Sequence, residues 1–291
     1  MKKIIITGKN GFVAKNLAAY LIATGDYDAQ LVSLRDGVDR VDLRGADCIV
    51  HTAAISSQQK DIPYSEYEKI NVQTTHLLAE KAKLAGVRHF VFLSSMHAMC
   101  DIVPQISTDT VLRKDSPCNP SGSYGKSKLQ AERKLGKIAD TTFKVAIVRP
   151  PVIYGRGCSG NYALLRKIAL KLPAFPDFDN RKSMIYIDNL CELIRLIIQS
   201  GGDGLFLPQN PAYVSTKGMV QEIAKQNGKK IYLSKTLELF VKLAGNKIPY
   251  ARKAFGSLYY DLSESNCFDG KYQITDFPTS IHKTESNYTS K

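Results

Sequence analysis

The chain has 291 residues, 44% of them hydrophobic and 23% charged, an ordinary balance for one large or two unequal globular units. No apolar run reaches the roughly 18 residues of a membrane span, and the N-terminal run is closed at once by a glycine turn, so neither a transmembrane helix nor a signal peptide is expected and the cytoplasm is the expected compartment. The formal net charge of +13 would suit nucleic acid, an anionic membrane surface or an acidic small substrate, but the lysines after residue 217 are spread out without interleaved aromatics, so the first reading is a solvated basic face, with weak membrane-surface attraction next and nucleic acid last.

Residues 2–7 form a β-branched run that stops at Gly8, the pattern of a buried parallel strand. Gly8 and Gly11 follow, with Ala14 where a third glycine often sits, and then a helical pattern through Leu17, Ala18, Leu21 and Ile22. Strand, glycine turn and helix open a dinucleotide-binding unit. The glycines let the backbone turn tightly and approach a pyrophosphate, which the free N–H groups of the helix N-terminus stabilise.

Residues 30–34 are expected as the second strand. An acid at its end would bind the adenosine ribose and select NAD, whereas an arginine accommodates a 2′-phosphate. Arg35 stands there and Asp36 comes one residue late, which favours NADP over NAD. A short strand is expected at 41–43, with Asp42 at the adenine edge and Leu43 beside it. Residues 46–54 read as a strand that passes into a small-residue turn at Ala53 and Ala54, where a cofactor ring would lie. His51 reads as a partly buried histidine satisfied by backbone. A helix is expected over 65–85, and Asn71 lies mid-helix without a propensity reason, reaching a neighbouring loop or facing water.

Residues 88–95 form a further strand that delivers Ser94 and Ser95 at its carboxyl end, where open α/β sheets bind ligands; Ser95 is expected to donate to a substrate oxygen. A long loop, 96–122, precedes a helix for which Ser123 is the expected N-cap. On that helix Tyr124 and Lys128 share a face one turn apart. A cation near a phenol favours the phenolate, so Tyr124 is expected to serve as acid or base near neutrality.

A strand at 143–148 runs into two prolines. The regular alternation ends there, and a second, smaller domain is expected from residue 151. Its expected elements are helices at 161–171, near 215–227 and near 236–245, and a strand at 183–187. Asp188 would cap a helix through Ile198 that packs back on the first domain. The tail after 280 is expected to fray. The six scattered cysteines lack Cys-x-x-Cys spacing, so neither a zinc site nor a disulfide frame is expected.

Four segments in this order, Thr7-Gly8-Lys9-Asn10-Gly11-Phe12-Val13, Ser94-Ser95, Tyr124-x-x-x-Lys128 and Arg149-Pro150-Pro151-Val152-Ile153-Tyr154-Gly155, resemble the extended short-chain dehydrogenase/reductases. More narrowly they are similar to the NAD-dependent epimerase/dehydratase group that acts on nucleotide sugars. The resemblance covers about the first 200 residues. It implies an α/β fold: a Rossmann domain with a doubly wound parallel sheet over 1–150, with 183–200 packed back on it, and a smaller C-terminal nucleotide-sugar-binding domain over 151–291. Tyr124 would be the catalytic acid/base, Lys128 would hold the nicotinamide ribose and lower the tyrosine pKa, and Ser95 would polarise the sugar oxygen. Thr7, Gly8, Asn10, Gly11, Phe12, Val13, Ser94 and Pro151 fall in the cofactor-binding motifs. His97, Asn161 and Arg181 fall on the substrate side, Arg181 toward the diphosphate and Asn161 toward the phosphate or uracil. A homodimer through helices 65–85 and 123–139 is also implied.

The departures carry information. Arg35 replaces the usual acid, Val152 replaces an asparagine before Tyr154-Gly155, and residues 96–100 replace a common Val-Tyr-Gly turn. No acid stands beside Tyr124 or Ser95 in sequence to expel water, so dehydration is the least favoured chemistry. The expected activity is reduction of a UDP-4-keto-6-deoxy-hexosamine. The alternatives are a UDP-sugar 4-epimerase with tightly bound NAD, and a non-catalytic dinucleotide-binding sensor or scaffold.

Overall fold

The computed structural model describes residues 1–57, 59 and 61–286. Its first half runs β1 (Lys2–Thr7), α1 (Phe12–Ala23), β2 (Tyr27–Val32), β3 (Cys48–His51), α2 (Tyr64–Tyr67), α3 (Thr74–Leu84), β4 (His89–Leu93), β5 (Asp109–Leu112), α4 (Ser123–Ile138) and β6 (Lys144–Val148). The second half runs β7 (Val152–Tyr154), α5 (Asn161–Lys171), β8 (Ala174–Pro176), β9 (Met184–Tyr186), α6 (Ile187–Ser200), β10 (Gly204–Phe206), α7 (Thr216–Gln226), β11 (Tyr232–Ser234), α8 (Lys235–Ala244), α9 (Pro249–Phe255), β12 (Ser257–Tyr260) and α10 (Phe277–Glu285).

Six strands pair in the order β2-β1-β3-β4-β6-β10, every pair parallel. Parallel pairing requires crossover helices, and these cover both faces of the sheet. The strand residues divide accordingly. Ile4, Ile6, Val50, Val91 and Val148 pack with α1 and α6, whereas Ile5, Ile49, Phe90, Phe92 and Val145 pack with α3 and α4. This is the doubly wound Rossmann arrangement. The order reverses between β1 and β3, which opens a crevice at their carboxyl ends.

Residues beyond 150 contribute to this sheet as well as to three two-stranded pairs, β7–β9, β8–β11 and β5–β12. Helix α6 lies against α1, where the Tyr20 hydroxyl donates to Glu192 at 2.9 Å, and β10 is the edge strand beside β6. Strand β5 belongs to the loop 96–122 and pairs with β12, so the long loop is tied to the C-terminal region. All six cysteines are free, and among the described residues no helix is long and apolar enough to cross a membrane.

Several expectations are corrected. The second strand begins at Tyr27, not 30, and ends at Val32, because its register is set residue for residue by Lys2–Thr7 of β1. Residues 41–43 form no strand; Val41 and Leu43 are core side chains that follow a single 3₁₀ turn at Val38–Arg40. The 65–85 helix is interrupted by a π-helical segment, Glu68–Gln73. Helix α6 has Tyr186 at its N-cap, with Asp188 in the first turn rather than capping. The expected frayed tail is helical through Glu285, with Ile281 fully buried; the part of that tail at 287–291 lies outside the described residues.

Candidate active site

The glycine turn is shaped by its neighbours. Gly8 has φ +86°, and a Cβ there would fall 2.9 Å from Thr52 Oγ1 and 3.1 Å from the Ala53 amide nitrogen. The Gly11 N–H donates to the Gly8 carbonyl at 2.7 Å and closes the turn. Helix α1 starts directly after it, with no side-chain cap and no acid in its first turn, so its leading N–H groups are left for an anion. Around this turn lies a cavity of 640 Å³, in the size range of a cofactor site. Among the described residues Lys9, Arg35 and Lys69 line it and no carboxylate does. These features fit a dinucleotide diphosphate.

Of the cofactor residues expected from sequence, Gly8, Asn10, Gly11, Arg35, Ala53 and Ala54 line this cavity. Thr7 lies buried beneath it, and Phe12 and Val13 pack on the core. Leu43 is a core side chain, and Asp42 is exposed with its carboxylate clamped by Arg44 at 2.8 and 2.9 Å, which holds its pKa well below the usual range. Ser94, Tyr124, Lys128 and Pro151 lie outside the cavity lining. Lys69, Ile70 and Thr74, from the helical segment after β3, line it and were not expected.

His51 is fully buried and its partners are side chains, not backbone as expected. Its Nδ1 meets Thr7 Oγ1 at 2.7 Å and its Nε2 meets Thr75 Oγ1 at 2.8 Å. Burial, reinforced by the Lys128 charge, pushes its pKa down to about 3, so it is a neutral strut between β1, β3 and α3. Asn71, in the π-helical segment, accepts from Ile55 N at 2.8 Å and donates to Ser127 Oγ at 3.0 Å. It thereby fastens the cavity rim to α4. A π segment re-aims side chains that an unbroken α-helix would turn away, and such segments recur at functional sites.

Helix α4 presents Tyr124, Lys128 and Glu132 at successive turns. The phenol ring of Tyr124 is half-buried between His97 (centroids 5.7 Å apart, edge-on) and Tyr67 (6.5 Å). Burial pushes its pKa up to about 12, Ser95 opposes that shift and Tyr67 adds to it. Lys128 is 2% exposed; its Nζ donates to the Leu93 carbonyl at 2.8 Å and sits 4.6 Å from the centre of the Phe92 ring. Burial pushes its pKa down to about 7 against the pull of Glu132. The expectation that Lys128 lowers the tyrosine pKa is therefore corrected. The ammonium is committed to a backbone carbonyl, and desolvation of the phenolate outweighs the help from Ser95.

Glu132 is held by Arg149 through two contacts, 2.9 and 2.5 Å, in a pair almost wholly buried. The Ser94 hydroxyl donates to the same carboxylate, so Ser94 braces the helix rather than facing the cavity. Sequence reasoning missed this brace, although the 124/128/132 spacing and Arg149 before the prolines signalled it. The expected N-cap at Ser123 is also corrected: Gly122 is the cap residue, and the Asp101 carboxylate, 21 residues earlier, accepts from the Gly122 amide at 2.5 Å and from the Ser121 amide at 2.9 Å. Gly125 lets α4 approach the turn that carries His97, because a Cβ there would collide with the His97 carbonyl and come within 2.7 Å of Pro120.

On the substrate side His97 meets Tyr124 directly, and its pKa is lowered, chiefly by burial. Asn161 is exposed at the first position of α5. Arg181 is partly exposed; its guanidinium lies 3.5 Å from Asp109 and 3.4 Å from the Tyr259 hydroxyl. A diphosphate at Arg181 would compete with Asp109.

A profile of the NAD dependent epimerase/dehydratase family matches residues 4–205. The chain is similar to UDP-glucose 4-epimerase of Vibrio cholerae, 28% identical over 295 residues that span 91% of this chain and 88% of that protein. It is 30% identical over 222 residues to N-acetyl-alpha-D-glucosaminyl-diphospho-ditrans,octacis-undecaprenol 4-epimerase of Escherichia coli O157:H7, across 69% of this chain and 64% of that one. Among solved structures, UDP-glucuronic acid 4-epimerase from Bacillus cereus in complex with NAD superposes with a TM-score of 0.73 over 98% of both chains at 18% identity, a likeness of fold.

Proposed function

We propose that this chain, which belongs to the NAD dependent epimerase/dehydratase family, is an NAD(P)-dependent nucleotide-sugar oxidoreductase that reduces a 4-keto hexosamine carried on UDP. In this reading residues 1–150, with 183–200 packed on them, form the cofactor unit and residues 151–291 the nucleotide-sugar unit. The observation that carries it is the placement of Tyr124: a half-buried phenol flanked by Ser95 and His97, on a helix fastened by Asn71 to a cavity that, among the described residues, is lined by cations and no carboxylate.

The main-chain N–H groups of Asn10 and of Phe12 and Val13 in the first turn of α1 would hold the diphosphate of the cofactor over the turn shaped by Gly8 and Gly11, with Arg35 at the adenosine end and Lys128 at the nicotinamide ribose. A bound nicotinamide supplies hydride transfer to or from carbon. Tyr124 keeps its proton at neutral pH and therefore starts the cycle as the donor. It delivers that proton to the sugar 4-oxygen as negative charge develops there, and Ser95 holds the same oxygen through its hydroxyl. Lys128, held by the Leu93 carbonyl, acts on the ribose side, and Ser95 is the group that eases the negative charge left on Tyr124. Asp101 is spent on the Ser121 and Gly122 amides at the entry to α4, which removes that carboxylate as the acid a dehydration needs.

The second reading, a UDP-sugar 4-epimerase, is favoured by the activities named for the relatives above. There Tyr124 first accepts and then returns the proton as the keto sugar turns its other face. Incubating the purified protein with a UDP-hexosamine and no added cofactor separates the two. Interconversion of carbon-4 epimers rules for the epimerase, oxidation of NADPH only in the presence of the 4-keto sugar rules for the reductase, and neither result would remove both.

A further inference from the structure

Helix α8 is amphipathic with its apolar side turned outward. Of its large apolar residues only Val241 is buried, whereas Leu239, Phe240 and Leu243 are 55%, 59% and 74% exposed. Their spacing puts them on one side of the helix. The polar residues flank the stripe along one edge: Glu238 is bridged by Lys242 at 2.7 Å and Lys235 reaches Asp177 at 2.8 Å. The apolar stripe continues into Ile248 and Tyr250 at the start of α9, 40% and 79% exposed. A contiguous apolar face left in water forgoes roughly 1.5–3 kcal/mol of burial for each large side chain, and such faces mark contact surfaces.

The charge around the stripe is mostly positive. Residues 225–253 hold eight Lys or Arg against Glu238 alone, a local charge of +7 within the net +13 of the chain. Lys230 and Lys247 are exposed and have no carboxylate partner among the described residues. A second copy of the same face would set +7 against +7, which disfavours self-association. Large apolar side chains ringed by cations match an anionic bilayer surface, where the side chains enter the acyl boundary and the lysines meet phosphates.

We propose that the α8–α9 face docks on the anionic surface of a phospholipid bilayer. The face is bolted to the loop before the Tyr124 helix. The Ile106 N–H donates to Asn246 Oδ1 at 2.7 Å and Arg252 Nη2 donates to the Val103 carbonyl at 2.5 Å. Ile102, 61% exposed, extends the apolar surface onto that loop. The same loop carries Asp101, which holds the Ser121 and Gly122 amides at the entry to α4, so docking engages the segment that positions the candidate site. None of this depends on which reaction the site performs.

The test is co-sedimentation of the full chain with lipid vesicles, either phosphatidylcholine alone or with roughly one-third phosphatidylglycerol. The expected result is pelleting with the anionic vesicles only, weakening as salt rises. Binding should fall at least about tenfold in a Phe240→Ser/Leu243→Ser variant and by a similar factor in Lys230→Glu/Lys247→Glu. These side chains are exposed, so thermal melting should match that of the parent protein. Absence of pelleting at low salt overturns the proposal, as does pelleting that both variants retain. Concentration-dependent self-association that Phe240→Ser/Leu243→Ser abolishes, without vesicle binding, assigns the face to a second copy and also overturns it.

Discussion

Replacing Lys128 with methionine should stabilise the fold at neutral pH while removing activity. Burial lowers the lysine pKa from 10.5 to about 7, so at or below pH 7 the folded protein bears roughly 5 kcal/mol of desolvation cost that the unfolded chain does not. Methionine fills a similar volume without charge, but it leaves the Leu93 carbonyl without its donor, a loss of about 1–3 kcal/mol. The net gain expected at pH 7 is about 2–4 kcal/mol. Between pH 7 and 10 the folded lysine sheds its proton while the unfolded one keeps it, so the parent protein recovers about 3–4 kcal/mol and the advantage of the variant disappears. Urea melts of both proteins at pH 7 and pH 10 read this difference directly, free of groups common to the two. Turnover should fall by at least about a hundredfold at both pH values. A variant less stable than the parent at pH 7, or a stability gap that does not change with pH, would refute the reasoning.

Gly125→Ala drives a methyl group into the His97 carbonyl and Pro120; it should cost about 1–3 kcal/mol in urea melts and lower turnover by separating α4 from His97, and parental stability would count against the close packing described. Arg35→Asp should move cofactor preference from NADP toward NAD by at least about tenfold in fluorescence titrations, and an unchanged ratio would remove Arg35 from the ribose site. His51 binds its proton only near pH 3 when folded but near 6.5 when unfolded, so its contribution is complete above pH 6.5 and is lost as pH falls toward 3, at about 1.4 kcal/mol per pH unit. The slope between pH 6.5 and 4.5 should flatten in His51→Gln, and an equal slope in both proteins would sink that assignment.

Much of the fold is legible in local patterns. The run at 2–7, the glycine turn and the first helix are read correctly because a strand buried on both faces and a helix with one apolar face leave different periods in sequence. Helix α5 falls on its expected span for the same reason. What escapes the sequence is settled between distant segments. The limits of β2 follow from pairing with β1, and the entry to α4 is fixed by Asp101 across a loop, through the Gly122 amide. The π segment at Glu68–Gln73 turns Asn71 inward, which propensity alone does not reveal. The Tyr124–Lys128 spacing locates the two groups. Burial decides the sign of the phenol shift and commits the ammonium to Leu93, and burial is a property of the folded neighbourhood.

The central claim is that Tyr124 moves the proton at the sugar 4-oxygen while a hydride moves at carbon 4. Its most direct test is the absorbance of reduced nicotinamide when the protein, loaded with cofactor, is mixed with a UDP-4-keto hexosamine or a UDP-hexosamine, alongside Tyr124→Phe at equal cofactor occupancy. The parent protein should consume or generate reduced cofactor with one of these sugars, and Tyr124→Phe should do so on the order of 10²–10⁴-fold more slowly. Equal rates in the two proteins would contradict it, as would no absorbance change in the parent with the 4-keto sugar together with no carbon-4 interconversion of the UDP-hexosamine.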